Sequence, residues 1–411
     1  MKTHDGVAMI GFVVWCILLV GVACVWASRH LTISRARRDF PPLTEDYPAD
    51  GNAAMPFLSV LIAAKDEEAN IETAVRTMLD QDYPQFELIV INDRSTDRTA
   101  EILESLKAEQ ADGRLKVIHI KELRDGWFGK NNAMQTGMQV ARGQWLCFGD
   151  ADCRQTSRKT LAAAVRFAQA NSIDLLSVLP ELETHGLWER IIQPVCGAVM
   201  VFWFQPGRVN DPRRSEAYAN GAFMLMTRRC YDTIGGHEAV RTEVNEDMHM
   251  ARLTKERSLR LYVIQGGGLY RVRMYTGLRQ IWRGWSRIFY GCFGTFRKLL
   301  VTMRMLTIMN VFPYASLLIA ACVLLMWGWA GAGGGWRAVG CAAALAVIVQ
   351  QTTIVRFYRI SRANPWYAPT FIIGAVMCIG MLISAMRRLQ GRGTTTWRGT
   401  TYQGQKVVKT S

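Results

Sequence analysis

Two aspartates spaced two apart, Asp150-Ala151-Asp152, follow the apolar run Trp145-Leu146-Cys147-Phe148 through a single glycine. Carboxylates leaving a buried strand at that spacing can converge on one hard cation such as Mg2+ or Mn2+, which prefers oxygen ligands and keeps positions open for phosphates. In isolation a solvated turn is the default account of the pair, so companions decide its meaning. Asp66 follows another apolar run and could hydrogen-bond a base edge or be solvated beside Lys65 and Glu67. In Asn92-Asp93-Arg94-Ser95-Thr96-Asp97, Ser95 or Thr96 can cap the next helix and Asp97 suits its first turn, which leaves Asp93 as the ligand-facing carboxylate. Lys130 stands just ahead of a helical pattern, where an ammonium and backbone amides can meet a diphosphate. The spacing around it is not that of a Walker loop, which excludes that class of ATPase. Glu246-Asp247 opens another helical pattern and offers either a cap or a general base.

Those residues fall at the ends of a regular alternation. Short β-branched runs at 57–64, 86–91, 115–120 and 145–148 read as strands, and helical spacing at 68–80, 99–110 and 131–141 fills the gaps between them. Alternating strands and helices predict an α/β fold with parallel strands covered on both faces, whose ligands bind beyond the carboxyl ends of the strands. Asp66, Asp93, Asp150 and Asp152 all lie at such ends.

In this order the pieces resemble the family 2 glycosyltransferases of GT-A fold over roughly residues 57–285. Ser59 to Glu68 resembles the family's first nucleotide-binding element, Asp93 its second, and Asp150-Ala151-Asp152 its metal motif. Asn220-Gly221-Ala222-Phe223 resembles the acceptor-side glycine segment, and Glu246-Asp247 the catalytic-base motif. Gln280-Ile281-Trp282-Arg283-Gly284-Trp285 resembles the QxxRW motif of membrane-bound members, with glycine where tryptophan is expected. The tail from Thr396 to Tyr402 is similar to that of bacterial hopanoid- or carotenoid-associated enzymes, and the layout resembles ceramide glucosyltransferases.

The resemblance implies a mixed, mostly parallel sheet and inverting transfer from a nucleotide-sugar, a UDP-sugar by expectation, to a membrane lipid. In that scheme Asp66, Asp93, Lys130, Asp150, Gln280 and Arg283 bind the donor. Asp150 and Asp152 hold Mg2+ or Mn2+, and Asp247 with Glu246 forms the catalytic pair. Two other readings stay open at this point: a processive polysaccharide synthase, and a non-catalytic nucleotide-sugar-binding or transport subunit.

The 411 residues carry a formal charge of +15, and uncharged apolar stretches at 7–27, 311–330, 338–355 and 365–386 are each about long enough to cross a bilayer. Ala23-Cys24 could end a cleaved signal, but Gly21 and the weakly basic start argue against it. Basic residues cluster beside these stretches (Arg29, Arg35, Arg37 and Arg38; Arg356, Arg359 and Arg362; Arg387, Arg388 and Arg392), which points to anionic lipid rather than nucleic acid. The organisation expected is a spanning segment at 1–30, a linker at 31–54, the GT-A domain at 55–270, an interfacial segment at 271–304, further spans at 305–386 and a basic tail at 387–411. An apolar segment at 186–205 is expected to rest on the membrane or bury against the core. The first basic cluster places the catalytic domain in the cytoplasm, of a bacterial cell membrane by resemblance. Three later crossings would then put the tail outside, against its own charge, so either one segment is re-entrant or the charge rule fails here. Residues 338–355, interrupted by Gln350 to Thr353, make the weakest span. Ten cysteines without a CxxC pair support neither a zinc site nor a disulfide framework and fit a reducing compartment.

Overall fold

The computed structural model describes residues 2–48, 54–110 and 112–390 and, in the tail, 395–397, 400–403 and 406–409. Asp50, Arg392, Arg398 and Gly399, on which parts of the linker and tail readings rest, lie outside the described residues. The chain divides into two compact units, one of Met1–Arg38, Thr184–Met200 and Tyr275–Leu389, the other of Asp39–Glu183, Val201–Met274 and Gln390–Ser411.

The second unit holds strands β1 (Leu58–Ala64), β2 (Phe86–Asp93), β3 (Leu115–Ile120), β4 (Trp145–Asp150), β5 (Cys153–Gln155), β6 (Leu175–Leu179), β7 (Glu181–Leu182), β8 (Phe223–Thr227), β9 (Leu261–Gln265) and β10 (Tyr270–Val272). Seven of them form one sheet in the order β3-β2-β1-β4-β8-β6-β9, while β5, β10 and β7 make a smaller sheet. Every strand of the large sheet runs the same way except β8, which is antiparallel to both β4 and β6. The sheet is thus mixed and mostly parallel, as expected. Side chains alternate between its faces: Val60, Ile62, Leu88 and Val90 enter one buried cluster, Leu61, Ile89 and Ile91 the other. Apolar material therefore covers both sides, which is why these strands read as unbroken hydrophobic runs.

Helices α2 (Ile71–Leu79), α3 (Thr99–Glu109), α4 (Gly129–Met138) and α5 (Thr160–Ala170) follow the expected alternation. The first of them starts three residues later than its spacing suggests. Asp66 takes a left-handed φ of +52°, and Asn70 and Ile71 both donate their N–H to the Glu67 carbonyl, so the chain turns before it coils. Short helices α7 (Pro206–Val209), α8 (Arg228–Ile234) and α9 (Gly236–Ala239) lead to α10 (Glu246–Glu256), after the longer α6 (Leu187–Trp203).

The first unit contains α1 (Lys2–Asp39), most of α6, α11 (Leu278–Phe293), α12 (Phe296–Leu306), α13 (Phe312–Gly331), α14 (Gly333–Ile360) and α15 (Phe371–Leu389). The stretch expected at the interface is two helices broken at Gly294, where φ is +61°. On α11, Ile281, Trp285, Phe289 and Phe293 are buried while Arg279 and Arg283 are exposed, the two-faced pattern of a surface-lying helix. Within this unit α1, α13 and α14 share a buried contact of Leu19, Ala320, Val339 and Ala343. Arg356 donates to the His30 carbonyl at 2.8 Å and to Ser34 Oγ at 2.6 Å, which brings the end of α14 beside the basic end of α1. The polar residues that weakened 338–355 as a span are mostly answered: Gln350 donates to Asn310 Oδ1 at 2.8 Å, Gln351 to the Tyr314 hydroxyl, and Thr353 to the Trp26 carbonyl at 3.2 Å. The other grouping joins α15 and the 3-10 turn Pro365–Thr370 that leads into it to α6 and α11, through Arg190 on the Tyr367 hydroxyl at 3.2 Å and Trp282 on Ser384 Oγ at 3.2 Å.

By length and composition five segments could cross a membrane: Met9–Asp39, Leu187–Val209, Phe296–Gly331, Gly333–Ile360 and Pro365–Leu389. That is one more than the sequence count of four. The addition, Leu187–Val209, interrupts a single sheet. β4 and β6 precede it, β8 follows it and pairs with both. A crossing would put hydrogen-bonded strands on opposite sides of a bilayer, so the continuity of the sheet argues against this segment as a simple span.

Candidate active site

Parallel register gathers the acidic residues at one edge of the large sheet. Ala63 of β1 lies opposite Asp150 of β4, and Ala64 lies opposite Asn92 of β2, so Asp66, Asp93 and Asp150 come off three adjacent strands at their carboxyl ends. Because β8 runs backwards, with Phe223 opposite Gly149, the preceding Asn220-Gly221 arrives at the same edge.

Asp93 is 1% exposed and its carboxylate is gripped by the neighbouring guanidinium, Arg94 Nε to Oδ1 at 2.8 Å and Nη2 to Oδ2 at 3.0 Å. Arg94 itself sits at φ +57°, an uncommon conformation for a side-chain-bearing residue. The Asp66 Oδ1 accepts from Thr96 N at 2.7 Å and Thr96 Oγ1 at 3.2 Å, while the Asp66 N–H donates to Ser95 Oγ at 3.0 Å. The two β-strand ends are thus laced into one loop pair, and Ser95 and Thr96 serve that lacing. Beside it Lys65 is 2% exposed, and among the described residues its Nζ has no hydrogen-bond partner. Burial and the Arg94 charge lower its pKa below the ordinary lysine value.

The second cluster centres on Lys130, whose ammonium donates to Asp150 Oδ1 at 2.6 Å and Glu246 Oε1 at 2.7 Å. Burial alone would lower its pKa, but the two carboxylates outweigh that and hold it well above the usual value. Position 221 is closely packed: a Cβ there would stand 3.0 Å from Lys130 Nζ and 3.4 Å from both Asp247 Oδ2 and Glu246 Oε1, so the ammonium would have to give slightly. The Gly221 N–H donates to Asp247 Oδ2 at 2.8 Å, and Met248 N–H donates to Asp247 Oδ1 at 2.7 Å. Burial and the adjacent Glu246 charge push the Asp247 carboxyl up to about 7, against the opposing pull of Lys130. A carboxylate poised there can accept a proton near neutral pH. The capping account covers only part of this pair: Asp247 satisfies one first-turn N–H, whereas Glu246 spends its charge on Lys130.

The loop ahead of α10 is anchored from the sheet side, since Asn131 Nδ2 donates to the Val240 carbonyl at 2.6 Å and the Glu243 carbonyl at 3.0 Å. Sequence reasoning missed Asn131, Arg94 and the Lys130–Glu246 pairing. The polar Asn131-Asn132 inside an otherwise apolar helical face was the available signal.

Asp152 is half-buried in the turn between β4 and β5. Together with Asp150 it offers carboxylate oxygens of the kind Mg2+ or Mn2+ takes, and Asp150 already receives a cationic group in Lys130. Among the described residues no group of three or more His, Cys, Asp or Glu stands close enough to hold a metal ion. Gln280 and Arg283 are exposed on α11, in the other unit; Gln280 Oε1 accepts from Thr276 N at 3.0 Å. At position 284, where the motif expects tryptophan, the ring of Tyr275 occupies the space a side chain would need.

Residues 59–235 match the family described as glycosyl transferase family 2. The 4,4'-diaponeurosporenoate glycosyltransferase of Staphylococcus aureus (strain MRSA252) is 23% identical over 355 residues, covering 85% of this chain and 89% of its own. The protein of that name from strain USA300 is 26% identical over 250 residues, covering 60% and 64%. Among solved structures, the mannosyltransferase PcManGT from Pyrobaculum calidifontis, in complex with GDP-Man and Mn2+, has a TM-score of 0.53 at 18% identity and covers 82% of this chain and 97% of its own. That last likeness is one of fold.

Proposed function

For a chain that carries a family 2 glycosyltransferase domain of GT-A fold and is a transferase, we propose inverting transfer of a hexose from a nucleotide-sugar to a membrane lipid. One observation carries the reading: Lys130, Asp150, Gly221, Glu246 and Asp247 converge at the carboxyl edge of the sheet that also presents Asp66 and Asp93. A carboxylate with a pKa near 7 beside a cationic and acidic cradle is what hydroxyl attack on an anomeric carbon needs.

In this scheme Asp66 and Asp93, held by Thr96 and Arg94, receive the nucleoside. Asp150 and Asp152 would hold a Mg2+ or Mn2+ ion, which when bound supplies Lewis-acid stabilisation of the departing diphosphate. Lys130 adds positive charge on the same side. Asp247, fixed by two backbone N–H groups, takes the acceptor hydroxyl's proton as that oxygen attacks, and no covalent enzyme intermediate forms. For Gln280 and Arg283 a donor contact is proposed on their motif alone. A UDP-sugar is the donor we favour. A lipid acceptor is supported by the relatives named for diaponeurosporenoate, a carotenoid, and by the long apolar helices.

The membrane arrangement we propose has three crossings, α1, α13 and α14. The basic end of α1 marks the cytoplasmic side, and Arg356 brings the end of α14 to it. Gln390–Ser411 groups with the catalytic unit, which calls for an even number of crossings between Met274 and Gln390. On this reading α15, packed with α6 and α11, is the re-entrant segment, and 338–355 is a true span. The catalytic domain and the basic tail then share the cytoplasmic side of a bacterial cell membrane.

The deciding experiment incubates membranes containing the protein with a panel of labelled nucleotide sugars and identifies the lipid-soluble product by mass spectrometry. A single glycosylated lipid supports the proposal; a ladder of long polymers would replace it with a processive synthase.

A further inference from the structure

Lys130 makes two short contacts to carboxylates that belong to different jobs. Asp150 is the strand-end residue of the metal pair, and Glu246 is the neighbour of the proposed base on α10. The ammonium reaches both, at 2.6 and 2.7 Å, close against position 221, where a Cβ would stand 3.0 Å from it. In this state the Asp150 oxygen facing the site is already neutralised by a cation. A divalent ion arriving alone must share or displace that ammonium, and two cations a few ångströms apart in a half-buried site repel strongly. A diphosphate changes the balance, since its oxygens offer the ammonium new partners while also completing the ion's shell.

We propose that Lys130 is a built-in competitor that makes metal binding conditional on the donor, keeping the empty site from loading a bare divalent ion and giving way when a nucleoside diphosphate arrives. The proposal rests on the reading of Asp150 as a metal ligand. It goes beyond that reading by assigning Lys130 a positioning role in the order of loading. Thermodynamic reciprocity then requires that the metal and the diphosphate strengthen each other's binding, with Lys130 as the source of part of that coupling.

The test measures Mn2+ binding directly, by the loss of the free-ion EPR signal, on the full-length protein in detergent, with and without UDP or GDP. Lys130→Gln removes the charge but retains a polar group for Asp150 and Glu246. It should bind Mn2+ without nucleotide about tenfold more tightly than the wild type, and gain less from nucleotide, because one competing unit charge is gone. Lys130→Arg keeps the charge and should restore weak, nucleotide-dependent binding. Lys130→Met repeats the Gln measurement without a polar group, and melting curves on each preparation establish that the proteins compared are folded. Equal Mn2+ affinity of wild type and Lys130→Gln in the absence of nucleotide overturns the inference while leaving the metal reading intact. If no variant binds Mn2+ even with UDP or GDP, or if Asp150→Asn binds it as the wild type does, the metal reading falls and takes the inference with it.

Discussion

Asp247 carries the sharpest chemical expectations. Both of its oxygens accept backbone N–H groups, from Gly221 and Met248, so Asp247→Asn turns an amide NH2 against one of those donors. Loss of the basic site should lower turnover about 10²- to 10⁴-fold. The mismatched hydrogen bond should also cost about 1–3 kcal/mol of stability. Turnover, donor affinity and melting temperature read on one preparation separate the two effects; near-normal turnover would remove Asp247 as the base. The second expectation follows from its raised pKa of about 7. A base works only when deprotonated, so kcat/KM should rise with pH through an acidic limb near 7 and level off above it. Glu246→Gln removes the like charge that helps raise that pKa, so the limb should move to lower pH. A limb that stays put in the variant argues that another group titrates. At this scale the sequence was partly legible. Asp66, Asp93 and Asp150 announced themselves by ending apolar runs and Glu246-Asp247 by opening a helical pattern, but the partners that set their chemistry, Arg94 on Asp93 and Lys130 on Glu246, are met only when the chain folds.

The elements show the same division. Strand positions could be read because each is a short apolar run bounded by polar turns. Direction could not: β8 is as continuously apolar as its parallel neighbours, and a strand buried on both faces carries no mark of which way it runs. Its reversal between β4 and β6 is what delivers Gly221 to the site. Also hidden was the fastening at the opposite edge of the sheet, where Glu87, 2% exposed, accepts from Ser59 Oγ at 2.7 Å, Lys116 Nζ at 2.7 Å and Arg142 N at 2.7 Å. Burial alone would raise the Glu87 pKa, but these donors outweigh it and hold it below the ordinary value of 4.5. The stability this carboxylate contributes is therefore present above the unfolded pKa and lost as pH falls through the lowered folded one. Glu87→Gln should cost about 1–3 kcal/mol at pH 7. The deficit should shrink as the pH drops below 4.5, where the wild type loses the same charge. Thermal melts across that range check it, and identical melting at neutral pH would show that the fastening contributes nothing.

For the whole molecule the open question was parity. Counting apolar stretches gave four, measuring helices gives five, and the sheet's continuity across Leu187–Val209 removes one again. The hydrogen-bond partners of the polar run Gln350 to Thr353, which include Asn310, Tyr314 and the Trp26 carbonyl, sit on other helices and so could not be read from the run itself. A membrane-impermeant thiol reagent tests the three-crossing arrangement. Cysteines placed at Asp50 and at Ser411 should react only once the cytoplasmic face is opened, while one at the exposed Gly334, where α14 begins, should react in intact cells. Labelling of the Ser411 position from outside would make α15 a fourth crossing.

The sheet interrupted by a long apolar helix also constrains how the protein can be made. When β6 has left the ribosome its pairing partner β8 does not yet exist, and the intervening chain includes a segment apolar and long enough to cross a membrane. At roughly 5–20 residues per second, the half-built sheet waits a matter of seconds with the edges of β4 and β6 unpaired. Bare strand edges of that kind invite pairing with other chains. The closing of the catalytic sheet is thus tied, in order of synthesis, to the emergence of that apolar helix.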